Sequence, residues 1–189
     1  MSLVEPIRSR KQLKQLADYW LKRGNFRNYT LIVLGVCTVL RPSDLLRLQW
    51  TDVYDFERGG FLSHITVTEH KTSKRKTIAL NAQAIKALNL YFPNRRGEYI
   101  FSNNRRDEKA INRVTAWRIV KEAVFAIGIM GSISLYSLRK SFGYFAYKAG
   151  VLPILLMDLF NHSSFEVTRR YLGIQQEDRD AVYLSMILF

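Results

Sequence analysis

The apolar residues of this chain recur at helical spacing along most of its length and at strand spacing in one short stretch, between residues 60 and 80. The pattern points to a mainly α fold with a small antiparallel β-sheet, an α+β arrangement. Leu13, Leu16, Ala17, Trp20 and Leu21 stand three and four residues apart after a cap at Ser9, and Gly24 closes that helix. Residues 25–38 are apolar around much of their circumference, as a helix lying in a core must be. Arg41 follows directly, and Pro42 suits the first turn of a short helix to Leu48 because its missing N–H costs nothing there. Phe61, Ile65 and Val67, then Thr77, Ile78 and Leu80, read as the two strands of a hairpin around Lys71-Thr72-Ser73-Lys74. Tyr99-Ile100-Phe101 reads as a further short strand. Helices are predicted over residues 82–91, 111–127, 137–149, 153–160, 165–172 and 176–188, with a break at 128–134. No repeat, low-complexity tract or long linker divides the chain, so one domain over residues 1–189 is expected.

Charge narrows the partner. The chain carries 29 Lys+Arg against 16 Asp+Glu, a formal +13, on 48% hydrophobic residues, enough apolar material for a core and against disorder. A compact basic fold serves a polyanion, because cations that neutralise phosphates release condensed counterions; nucleic acid ranks first and an anionic membrane surface second. The apolar run Leu31–Leu40 is about half of the roughly 20 residues that span a bilayer, and no signal-peptide pattern opens the chain, so a cytoplasmic protein is expected. A single cysteine, Cys37, excludes an internal disulfide and a cysteine zinc cluster, and its apolar surroundings predict a buried structural thiol. Basic clusters at residues 71–76, 95–96, 105–106 and 169–170 fall in turns or at helix ends, where they can reach a phosphate backbone; each taken singly reads as a solvated loop.

Four segments in order carry a more specific pattern: Leu40-Arg41-Pro42-Ser43-Asp44-Leu45-Leu46 at a helix start, Lys71 in the hairpin turn, Leu138-Arg139-Lys140-Ser141-Phe142 in a later helix, and Phe160-Asn161-His162-Ser163-Ser164 followed by Tyr171. Together, from about Ser9 to Leu172, they resemble the tyrosine recombinase, or phage integrase, catalytic domain. The resemblance implies site-specific cleavage and rejoining of double-stranded DNA through a 3′-phosphotyrosyl intermediate, with Tyr171 as nucleophile. A phosphotyrosyl ester lies close in free energy to the phosphodiester it replaces, so the strand reseals without ATP. The resemblance assigns Arg41 and Arg139 to the non-bridging oxygens of the scissile phosphate, where planar guanidinium groups meet the charge that builds in the transition state. It assigns Lys71 to protonation of the 5′-hydroxyl leaving group, with Lys74 or Lys76 as alternative counterparts, and His162 to the phosphate or to proton transfer. Arg41 can also ion-pair with Asp44, an acidic position that in this family orients the arginine. Tyr136 departs from the pattern, since the family usually has histidine three residues before the second arginine; a phenol donates a hydrogen bond but is a poor base at neutral pH. Lys74, Arg75, Lys76, Lys140, Arg169 and Arg170 are expected to contact DNA, the last two also supplying a cationic neighbourhood for Tyr171.

Other chemistries find no support in the residues. The three histidines lack metal-ligand spacing, there is no glycine-rich phosphate loop, and no metal or cofactor is implied. The resemblance implies an N-terminal core-binding domain that completes a clamp on DNA. The catalytic pattern starts within the first dozen residues, so that domain is expected to be absent from this chain. Residues 176–189 end in Val182, Tyr183, Met186, Ile187, Leu188 and Phe189, an apolar tail that either docks on a neighbouring subunit of a tetramer on DNA or packs on its own core. A monomer when free of DNA is compatible with both. A non-catalytic DNA-binding or directionality factor retaining the fold is the competing function, and Tyr136 is the residue that speaks for it.

Overall fold

A computed structural model describes residues 4–71, 73–103 and 108–187. Nine helices run through the described chain: α1 (Arg10–Leu21), α2 (Phe26–Cys37), α3 (Pro42–Leu45), α4 (Ala82–Tyr91), α5 (Arg113–Ala126), α6 (Leu135–Lys148), α7 (Pro153–Phe160), α8 (Phe165–Leu172) and α9 (Gln176–Ser185). The strands β1 (Tyr54–Asp55) and β2 (Gly60–Phe61) form one antiparallel pair, and β3 (His64–Thr68) and β4 (Arg75–Ala79) form another, with Val67 opposite Lys76.

Side-chain caps set several helix starts. Ser9, Asn25, Asn81 and Asn112 each accept a backbone N–H from the first turn that follows. Around the largely buried α2 pack α1, α4 and α6, giving a main core that includes Leu16, Leu31, Leu34, Leu88 and Leu138. A second, smaller core of Val39, Leu156, Phe160 and Leu172 is covered by Phe142, Tyr147 and Tyr171 and joins α7 and α8 to α6. Gly143 makes that junction possible: a Cβ there would lie 2.7 Å from the Phe160 ring.

Several expectations shift. Residues 99–101 form no strand; Gln49–Tyr99 and Ser102–Ala110 are isolated bridges, because the partner chain at each runs alongside for a single residue. The pair β1–β2 was not anticipated; its strands are too short to show a period. Helix α6 starts at Leu135 rather than Ser137, since Ser134 and Ser137 cap it reciprocally, and this puts Tyr136 in its first turn. Helix α3 ends at Leu45, short of Leu48, and α9 ends at Ser185. Cys37 is half-buried, and burial pushes its thiol pKa up. The Arg105-Arg106 pair lies outside the described residues. No described helix is long and apolar enough to cross a membrane, and among the described residues no His, Cys, Asp and Glu group could hold a metal.

Candidate active site

The site lies where the two cores meet, at the C-terminal end of α7. The last carbonyls of a helix have no partner within it and form the negative end of its dipole. Here three cations from three other elements take the positions. Lys76 Nζ donates to the Leu159 carbonyl, Arg139 Nη2 to Phe160 O at 2.7 Å, and Arg41 Nη2 to Asn161 O at 3.4 Å. Asn161, left-handed at φ 51° and ψ 50°, ends the helix and turns the chain toward His162.

Arg139 projects from α6 and is 1% exposed, and its other terminal nitrogen donates to the Val39 carbonyl. Burial lowers its pKa, yet a guanidinium stays charged across the physiological range. Arg41 caps α3 with extended backbone, φ −66° and ψ 149°, which sends its side chain toward α7. Its Nη1 lies 2.5 Å from Oε2 of Glu69, a residue with no exposed surface. The expected Arg41–Asp44 pair is not formed. Asp44 Oδ1 instead accepts from the His70 N–H at 3.1 Å and so anchors the base of the β3–β4 turn.

Tyr171 on α8 is packed, not a surface tyrosine. Its ring stands 4.5 Å from the His162 ring, edge to face, and 5.2 Å from Phe160. The Arg139 guanidinium carbon is 5.7 Å and Lys140 Nζ 5.2 Å from the same ring. Burial raises the phenol pKa, and the charge of Arg139, then of Arg41, opposes that rise. Arg169 and Arg170 do not supply the cationic neighbourhood expected of them, because they extend from an exposed face and pair with Glu166 at 3.2 and 3.4 Å. His162 stacks on Phe160 and shares a 3.0 Å hydrogen bond between Nδ1 and Thr168 Oγ1. Burial, then the charges of Arg139 and Arg41, depress its pKa to about 4, so the imidazole is neutral at pH 7.

Tyr136 borders a cavity of about 260 Å³ with Pro42, Val114 and Trp117. Lys71 stands exposed at the hairpin tip. Lys76 faces inward with Ile78, where burial foremost, then Arg139, pulls its pKa down to about 8. Lys74 and Arg75 are exposed; Lys140, expected on the DNA-facing surface, is buried and donates to the Val4 carbonyl at 2.7 Å.

Two site residues escaped the sequence reading. Glu69 Oε2 also accepts from Asn161 Nδ2 at 2.5 Å, so Arg41 and the His162 turn share one carboxylate oxygen. A signal existed: Ile65, Val67 and Glu69 occupy alternate positions, which places a lone carboxylate in line with the buried face of β3.

The fold is that of a tyrosine recombinase catalytic domain. The chain belongs to the phage integrase family, whose pattern matches residues 9–178. It is 35% identical over 184 residues to the probable integrase/recombinase YoeC of Bacillus subtilis, covering 97% of each. With tyrosine recombinase XerD of Oceanobacillus iheyensis the identity is 27%, over 84% of this chain and 54% of that protein. The chain thus spans nearly all of the first relative and about half of the second. Among solved structures, XerH bound to a palindromic difH substrate superposes with a TM-score of 0.79 at 19% identity, over 98% of this chain and 53% of that one. XerA recombinase gives 0.77 at 20% identity, over 97% of this chain and 64% of that one.

Proposed function

We propose that this domain cleaves and rejoins double-stranded DNA through Tyr171. The phenol oxygen attacks the scissile phosphorus, the bond to the 5′-oxygen breaks, and the strand is held as a 3′-phosphotyrosyl ester until a 5′-hydroxyl reverses the step. The observation that carries this reading is the convergence of Arg41, Arg139, His162 and Tyr171, from four separate segments, around the end of α7. Arg41 and Arg139 hold the non-bridging oxygens, which gain charge in the transition state. Neutral His162 takes part as hydrogen-bond partner or proton acceptor, and Tyr136 donates a hydrogen bond from the usual histidine position. Lys71, carried by the exposed tip, gives the leaving oxygen its proton as the duplex docks, while Lys76 stays in the cradle as a fixed cation. Lys74, Arg75, Arg169 and Arg170 are exposed and meet the flanking backbone. The protein works in the cytoplasm, on DNA of the nucleoid, and assembles there as a tetramer whose α9 tails pass between subunits.

Incubation with nicked half-site DNA followed by a denaturing gel tests the reading. The native protein forms a covalent adduct and Tyr171→Phe does not. An adduct that persists in Tyr171→Phe reassigns the nucleophile, and DNA binding without any adduct favours the non-catalytic factor.

A further inference from the structure

The mechanism above leaves unused the most deeply buried carboxylate among the described residues. Glu69 follows β3 on the strand's inward face and has no exposed surface. A carboxylate is not buried so fully without partners, since losing its water disfavours the charged form. Its Oε2 serves two: Arg41 Nη1 at 2.5 Å and Asn161 Nδ2 at 2.5 Å. We propose that Glu69 is a positioning residue for the phosphate cradle, fixing the plane of Arg41 and binding it to the turn that carries His162. This inference rests on the proposed role of Arg41.

The geometry separates Glu69 from a mere counter-ion. Arg41 is held from one side by Glu69 and from the other by the Asn161 carbonyl, so two groups restrain its guanidinium before DNA arrives. Asn161 joins both restraints: its carbonyl accepts from Arg41 and its amide donates to Glu69. Shifting the turn therefore shifts the arginine and His162 together. Charge works in the same direction. Arg41, Arg139 and Lys76 converge on neighbouring carbonyls; burial first, then the charge of Arg139, lowers the pKa of Lys76 and of His162, and Glu69 opposes that fall. Preorganised donors stabilise a transition state because they need not reorient as charge develops.

The test uses Glu69→Gln, which keeps shape and hydrogen-bonding capacity, and Asn161→Gly, which keeps the left-handed turn and removes the amide. On suicide half-site DNA at saturation, Glu69→Gln slows adduct formation by about 10- to 100-fold, as removing the charge of one partner from a buried ion pair does, with DNA affinity within about threefold of native. Asn161→Gly loses less, about 3- to 10-fold. In an Arg41→Ala background, Glu69→Gln costs nothing further, because the group through which it acts is gone. Losses that simply add, or an unchanged rate in Glu69→Gln, overturn the proposal. Side-chain ¹⁵N NMR provides an arm independent of catalysis: the Arg41 guanidinium rotates slowly in the native protein and freely in Glu69→Gln. Absence of any adduct in the native protein would overturn the Tyr171 reading, and the NMR arm would still decide for or against Glu69.

Discussion

Arg139 donates 2.7 Å to the carbonyl of Phe160, the last residue of α7, so the arginine assigned to the phosphate is fixed by the helix that leads to His162 and Tyr171. The same guanidinium reaches the Val39 carbonyl just before Arg41. One side chain thus connects both arms of the cradle, and its planar fork can serve two acceptors in directions an ammonium cannot match. Arg139→Lys is therefore expected to lower the single-turnover cleavage rate by about 100- to 1,000-fold, as loss of one transition-state donor does. The same variant melts earlier, because one carbonyl loses its buried donor. Rapid-quench assays and thermal melting check the two effects separately.

His162 gives a pH signature. Its pKa in the fold, about 4, lies below its ordinary value of 6.5. As pH falls below 6.5 the unfolded chain takes up the proton first, so stability is full above 6.5 and declines toward pH 4, then levels. Partial exposure limits the size, and a fall of roughly 2–4 °C in Tm across that window is expected. His162→Gln should flatten that part of the curve. An unaltered slope in the variant would show that another group titrates there.

The two hairpin lysines separate by leaving-group chemistry. Lys71→Ala should slow cleavage of ordinary DNA by about 100-fold or more, the usual worth of a positioned general acid. A 5′-bridging phosphorothiolate leaves as a thiolate and needs no proton, so it restores the rate in Lys71→Ala. Lys76→Ala loses a cradle cation instead, and sulfur does not rescue it. Rescue of Lys76→Ala alone would exchange the two roles.

How much of this was legible follows from the range of each interaction. Arg41, Arg139, His162 and Tyr171 could be singled out because spacing within short segments is written in the sequence. Helix starts were legible at the caps Ser9, Asn25 and Asn81, but not at Ser134, where a second serine at 137 offered a later start. The true partner of Arg41 was not, because Asp44 is close in sequence while Glu69 arrives from another element. Lys140 was misplaced for a related reason. Neighbours on an α-helix diverge by about 100°, so Arg139 faces α7 while Lys140 turns to the N-terminal strap at Val4. Which way a helix rotates is settled by packing against distant segments, and no local pattern records it.

Gly143 tests whether the cradle depends on close packing beneath it. An added Cβ would stand 2.7 Å from Cζ and 2.9 Å from Cε2 of Phe160. The ring is fully buried and cannot swing into solvent, so Gly143→Ala overpacks the smaller core at a cost of about 1–3 kcal/mol. Displacement of Phe160 also moves the carbonyl that holds Arg139. The variant should therefore melt lower and, at a temperature where it remains folded, cleave more slowly. Normal cleavage in a destabilised Gly143→Ala would uncouple the packing from the site.

The last helix supplies the clearest separation of stability from assembly. No residue of α9 is buried, and Val182, Tyr183, Leu184, Met186 and Ile187 are all more than half exposed. Among the described residues the tail therefore does not pack on its own core, one of the two expectations held for it; Leu188 and Phe189 lie outside the described residues. Its contact with the body includes the Lys148–Asp178 ion pair, a partly exposed link of the kind that adds little to stability. Removing residues 176–189 should leave the monomer's Tm within about 2 °C, since almost no apolar burial is lost. The same truncation should abolish self-association on DNA, measured by sedimentation with a half-site duplex. A collapse in Tm would mean that the helix stabilises its own subunit; assembly that survives truncation would place the subunit contacts elsewhere.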